Sequence, residues 1–234
     1  MTLGGIQKEL QRYASPAKAK ILRGFFKAEP GEYGEGDIFI GVQVPAVREV
    51  ANEFQDLPMA KIVRLLKSKI HEERLTALLI LVIRFAKGNE AERARVFKLY
   101  LQHARHINNW DLVDLSAAKI VGTFLADRPK DVLYRLANSS SLWERRIAIV
   151  STFHFIRQNK FADTLKIAKI LLYDKEDLIH KAVGWMLREV GKRDQICEER
   201  FLAKHYKGMP RTMLRYAIER FSESKRQAYL QGKA

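Results

Sequence analysis

One pattern recurs along this chain at a spacing that restricts its architecture. A polar or charged residue leads and a small residue follows three positions later, in Arg74-Leu75-Thr76-Ala77, Asp114-Leu115-Ser116-Ala117, Arg145-Arg146-Ile147-Ala148 and Lys181-Ala182-Val183-Gly184. The leaders are 40, 31 and 36 residues apart, and a fainter fifth unit begins near Arg211. Each copy lies in a stretch with apolar residues at helical intervals, so the repeating unit reads as a pair of helices.

The intervening sequence agrees. Residues 1–28 read as two helices, the second opening at Pro16 behind Ser15. A glycine-rich connector covers 29–45; it holds no phosphate-loop or dinucleotide fingerprint. Further helices are expected over 45–54, 58–69, 71–87, 90–105, 109–126 and 129–138. Others cover 141–159, where Ser141 and Glu144 form a capping box, then 161–172, 178–191, 194–205 and 210–221. The last residues, 222–234, look helical but frayed. Apart from a short run at Ile38–Val44 no strand is expected. The expected fold is all-α, an α-solenoid of HEAT-like helical repeats forming a single domain over 1–234. In such a solenoid the second helix of each pair lines the concave face, so the charged leaders would look into one basic groove. Chance alignment of amphipathic helices is the alternative.

Charge indicates what could enter that groove. Lys and Arg number 42 against 27 acidic residues, a formal net charge of +15, and a globular chain with this surplus is suited to a polyanion, nucleic acid first. Arg188, Lys192, Arg193, Lys204, Lys207, Arg211, Arg215 and Arg220 concentrate the charge in the C-terminal third. Such residues bind phosphate without reading sequence, or simply form a solvated face. No apolar run is long enough for a membrane span, and the N-terminus lacks a signal-peptide core. The lone Cys197 excludes an internal disulfide and fits a reducing, cytoplasmic setting. Cysteine and histidine spacings offer no zinc site.

Within the repeat, Asn108 to Lys119 stands out. Asn108 and Asn109 are helix-start residues. Asp114 has Trp110, Asp111, Ala117 and Ala118 one turn away, and no Lys or Arg at helical pairing distance. Either it makes a local or interhelical hydrogen bond, or it faces a ligand. Arg146 sits among Leu142, Trp143, Ile149 and Val150. Trp185 lies one turn from Lys181 and Arg188, an aromatic among cations, whereas Trp143 is expected to pack. A carboxylate beside aromatic residues in a basic groove suits hydrolysis through a cationic, oxocarbenium-like transition state. Glycosidases ordinarily add a second carboxyl group as general acid. A purine already cationic through alkylation can leave without one.

The chain resembles the AlkD-type alkylpurine DNA glycosylases, which are HEAT-like repeat proteins. The resemblance is carried by Asn109-Trp110-Asp111-Leu112-Val113-Asp114, Leu142-Trp143-Glu144-Arg145-Arg146, Val183-Gly184-Trp185-Met186 and the Phe39–Pro45 segment, and it spans nearly the whole chain. It implies that Asp114 is the catalytic carboxylate and that Trp110 and Trp185 contact the deoxyribose and backbone at the lesion. Arg146 would hold the DNA backbone, with Arg145 as second candidate; Gln43, Lys181 and Arg188 are further candidate contacts. Asp111 then reads as a first-turn partner of the helix dipole. The implied substrate is double-stranded DNA carrying cationic N3- or N7-alkylated purines, attacked without a base-flipping pocket, metal or cofactor. A monofunctional enzyme acting as a monomer is expected, with no lysine singled out for lyase chemistry. The alternatives are a non-catalytic nucleic-acid-binding module and, more weakly, a protein-binding solenoid.

Overall fold

The computed structural model describes residues 1–234 and is all-α. The chain divides into two compact units, Met1–Ser116 and Ala117–Ala234. The first contains α1 (Leu3–Arg12), α2 (Pro16–Phe25), α3 (Val44–Glu53), α4 (Met59–Leu66), α5 (His71–Lys87), α6 (Glu90–Gln102) and α7 (Trp110–Asp114). The second contains α8 (Asp131–Ala137), α9 (Leu142–Ser151), α10 (Phe153–Arg157), α11 (Ala162–Ile170), α12 (Asp177–Gly191), α13 (Gln195–His205), α14 (Arg211–Ala217) and α15 (Glu223–Leu230). No helix is long and apolar enough to cross a membrane.

In the first unit everything gathers around α5. Its residues from His71 to Leu81 are all buried, and it touches α1, α3, α4, α6 and α7. A helix apolar on every side is stable only inside such a sheath. Leu75, Leu78, Ile80 and Leu81 are at most 2% exposed, each contributing roughly 1.5–3 kcal/mol by burial. The second unit repeats the plan around α12, which packs against α9, α11, α13 and α14. Gly184 is what lets α14 approach: a Cβ there would stand 2.4 Å from the Met213 carbonyl oxygen. The row formed by α9, α12 and α14 follows the repeat leaders Arg145, Lys181 and Arg211.

Three expectations are corrected. The helix foreseen over 109–126 is interrupted: α7 stops at Asp114, and a π-helical turn covers Ala118–Gly122. The helix foreseen over 141–159 breaks into α9 and α10 at Thr152. Both breaks occur where buried hydroxyls bond back to carbonyls of the preceding turn: Ser116 to Leu112 at 2.5 Å, Ser151 to Ile147 at 2.6 Å, and Thr152 to Ile149 at 2.7 Å. Such bonds compete with the helical ladder. The C-terminal tail is not frayed, because the Tyr206 hydroxyl donates to the carbonyls of Gly232 and Ala234 and Tyr229 packs edge-on against the Tyr206 ring.

The strand-like run at 38–44 forms only an isolated parallel bridge between Ile38 and Ile70. The buried Glu72 carboxylate accepts from the backbone N–H groups of Ile40, Gly41 and Val42, at 2.8 Å for Gly41. A side chain thereby satisfies donors that a sheet partner would otherwise take. Gly41 has φ of +84°, and a Cβ there would stand 2.1 Å from the Ser15 carbonyl oxygen, so the connector follows this path only with glycine.

Candidate active site

A cleft of about 460 Å³ opens in the first unit. Its wall is mostly apolar, built from Leu22 and the two phenylalanines that end α2, from Phe39 and Val42 of the connector, and from Trp110 and Leu115. Gln43, His71, Glu72, Asp111 and Asp114 supply its polar groups. Few polar groups on an apolar wall is the usual make-up of a ligand site.

The Asn109 side chain starts α7 by accepting the N–H of the first helical residue, Trp110, at 2.8 Å. Trp110 is half-buried, its ring edge-on to Phe25 at 5.6 Å and tilted on Phe26 at 5.1 Å. Asp114, also half-buried, shares the cleft with Trp110 and with the exposed Gln43. Beneath α7, the buried Tyr100 hydroxyl meets Ser116 Oγ at 2.8 Å; burial pushes its ionisation well above the phenolic range, and the Asp114 charge adds to that.

Asp111 does more than complement the helix dipole. It is 5% exposed and lies 2.9 Å from Nε2 of His71. The other ring nitrogen of His71 lies 3.1 Å from Asp37. Asp37 in turn faces Arg74, with Nη2 at 2.7 Å. This buried quartet escaped the reading of the sequence, because its members come from the connector, α5 and α7. The only signal was indirect: a histidine and two acids opening a strongly apolar helix at 71–73.

The repeat leaders do not all look into a groove. Arg74 is only 3% exposed and is held by Asp37 and the Ser68 carbonyl. Arg145 is clasped by both oxygens of Asp174, at 2.6 and 3.2 Å, and by the carbonyls of Ser139 and Ser140. Lys181 pairs with Asp177 at 2.7 Å on α12, and Arg211 donates to the Leu230 carbonyl.

In the second unit, Arg146 on α9 is 5% exposed and donates to the Leu178 carbonyl at 2.5 Å, which ties α9 to the start of α12. Trp185 on α12 is half-buried, with the Phe153 ring 5.9 Å away. Arg188 is paired with Glu219 and Glu189. Gln43, Trp110 and Asp114 share one cleft of the first unit, while Arg145 and Arg146 lie on α9 and Lys181, Trp185 and Arg188 on α12 of the second.

Comparison with known proteins bears on what these sites serve. The family model for DNA alkylation repair enzymes matches residues 6–221. The chain belongs to that family. A solved structure described as "Predicted DNA alkylation repair enzyme from Enterococcus faecalis" has the same fold, with a TM-score of 0.68 at 17% identity. The likeness covers 90% of this chain and 97% of that one. A search of curated proteins finds no match. As a member of the DNA alkylation repair enzyme family, the chain has a role in repairing alkylation damage, with DNA as the partner this suggests. Its helical repeat plan agrees with the expected HEAT-like class.

Proposed function

We propose that this repair enzyme is a monofunctional DNA glycosylase that hydrolyses the N-glycosidic bond of cationic N3- or N7-alkylated purines in duplex DNA. The observation that carries the reading is the sharing of one cleft by Asp114, Trp110 and Gln43, next to an apolar wall. When the bond breaks, its electron pair goes to the purine, which leaves neutral, and the sugar becomes oxocarbenium-like. The Asp114 carboxylate stabilises that developing positive charge and orients the water that adds to the anomeric carbon. The water's proton passes to the carboxylate or to solvent. No general acid is required for a base that is already positively charged, and no lysine nucleophile enters, so no strand cleavage follows.

Trp110 supports the sugar beside Asp114, and Trp185, Arg146, Lys181 and Arg188 are assigned to the sugar-phosphate backbone, with Arg145 and Gln43 as secondary contacts. Both arginines are engaged within the second unit, Arg145 by Asp174 and Arg146 by the Leu178 carbonyl. The family match runs across both units, which supports reading 1–234 as one repeat domain. We assign the protein to the cytoplasm as a monomer.

The test is release of 7-methylguanine and 3-methyladenine from methylated duplex DNA, with Asp114→Asn beside wild type. Release by wild type and a loss of at least about 100-fold in the variant support the reading. An unchanged rate in Asp114→Asn removes Asp114 from the chemistry. Duplex binding without base release by wild type would favour the non-catalytic nucleic-acid module.

A further inference from the structure

His71 is 2% exposed and is the first residue of α5. Its backbone N–H donates to the Ile38 carbonyl at 2.8 Å, and its ring packs against both Phe26 and Phe39, with centroids 4.9 and 4.7 Å away. The charged groups facing the ring are Asp37 from the connector, Arg74 from α5 itself and Asp111 from α7. Both ring nitrogens are within hydrogen-bonding distance of a carboxylate oxygen. An ionised carboxylate only accepts, and a neutral imidazole carries one N–H. Both bonds therefore exist together only when the ring is imidazolium. In that state two positive and two negative charges balance; deprotonation leaves a net negative charge buried.

The consequence is mechanical. The helix α7 has five residues, too short to hold a direction without tertiary support. Its outer anchor is Asp111, between Trp110 and Asp114, and the Asp111 anchor is His71. The Trp110 ring also rests on Phe26, which stacks on His71. Asn108, just before α7, donates to Asp37 at 3.4 Å, so the same carboxylate steadies the approach to the helix.

We propose that His71 is the positioning residue of the cleft: as an imidazolium joining Asp37 to Asp111, it fixes the first turn of α7 and, with it, Trp110 and Asp114. The proposal rests on the glycosylase reading of Asp114. Burial by itself pushes the ring toward the neutral form, but the hydrogen bonds to Asp111 and Asp37 outweigh it and hold the ionisation above the usual histidine value. With both carboxylates ionised, the bridge is complete below the raised value and is lost as pH rises through it, which gives base release an alkaline limb.

The experiment follows single-turnover release of 7-methylguanine by the full-length chain from about pH 6 to about pH 9.5, spanning the ordinary histidine value and beyond. Protonation of the His71 ring is followed in parallel by NMR. In wild type the alkaline midpoint of the release rate matches the ring's own. Asp111→Asn moves both midpoints down together, by about one pH unit, with the loss falling on kcat rather than KM; Asp37→Asn does the same and serves if the first variant is unstable. His71→Phe retains the stacking, loses the limb and lowers kcat by about 100-fold. Base release with no alkaline limb, or with a limb that does not follow the ring in Asp111→Asn, overturns the positioning role and leaves the glycosylase reading standing. Absence of base release from wild type overturns both.

Discussion

Asp111 and Asp114 lie three residues apart on one five-residue helix and have opposite fates. Asp111 is buried on the His71 ring at 2.9 Å, whereas Asp114 is half-buried on the wall of the cleft beside Trp110. The spacing that sets them on one side of α7 also separates an anchoring carboxylate from one that lines the cleft. Exchanging their roles is not possible without moving the helix.

Trp110→Ala should lower base release by 10-fold or more, roughly 1.4 kcal/mol or above in transition-state stabilisation. It removes the aromatic surface beside Asp114 and leaves a gap against Phe25 and Phe26. Trp185→Ala, in the other unit, should act mainly on binding. Comparing kcat and KM for the two variants checks the division; equal losses in kcat would contradict it.

Arg145 and Arg188 should separate stability from binding. Arg145→Ala leaves Asp174 buried, with its carboxylate 6% exposed, and should cost about 2–4 kcal/mol of stability. Chemical denaturation measures this directly. Arg188→Ala should cost less stability and reduce duplex affinity. A large loss of stability on Arg188→Ala alone would reverse the two assignments.

Glu198 should make stability depend on pH. It is 1% exposed, its Oε1 has no hydrogen-bond partner, and burial together with the Glu199 charge pushes its ionisation from the ordinary 4.5 up to about 8. The folded state holds this proton more tightly than the unfolded chain. Its contribution is therefore fully present below about pH 4.5 and is lost as pH rises to about 8, a cost on the order of 3 kcal/mol near neutrality. Glu198→Gln should flatten that slope and raise Tm at pH 8. The same melting curves at pH 8 in variant and wild type would refute the assignment.

Gly184→Leu should destabilise by about 3 kcal/mol, the upper end of what overpacking costs, because even a Cβ at this site would stand 2.4 Å from the Met213 carbonyl oxygen. Gly24, with nothing within 4 Å, should tolerate alanine with a small gain, consistent with its place inside α2. Paired denaturation curves test both.

Binding to duplex DNA should weaken steeply with salt, since the net charge is +15. The logarithm of affinity should fall linearly with the logarithm of salt, by about 0.9 per phosphate neutralised. A flat response would turn attention to a protein partner instead.

The helical class was legible because it follows from local terms. Apolar residues recur at helical intervals, Ser15, Asn89, Asn109, Ser141 and Asp194 cap helices as their side chains allow, and the charge balance points to a polyanion. The repeat register also singled out Asp114, Trp110 and Trp185. What only the tertiary structure decided were relations between segments far apart in sequence. Whether Arg74 enters a groove or pairs with Asp37, whether Glu72 seizes three backbone N–H groups of the connector, and whether Asp111 meets His71 depend on helix packing. The same holds for the breaks at Ser116 and Thr152. Burial denies such a hydroxyl water and leaves a nearby backbone carbonyl as its partner, in competition with the helical N–H. Local propensity fixes the elements, whereas burial decides which polar groups must find one another.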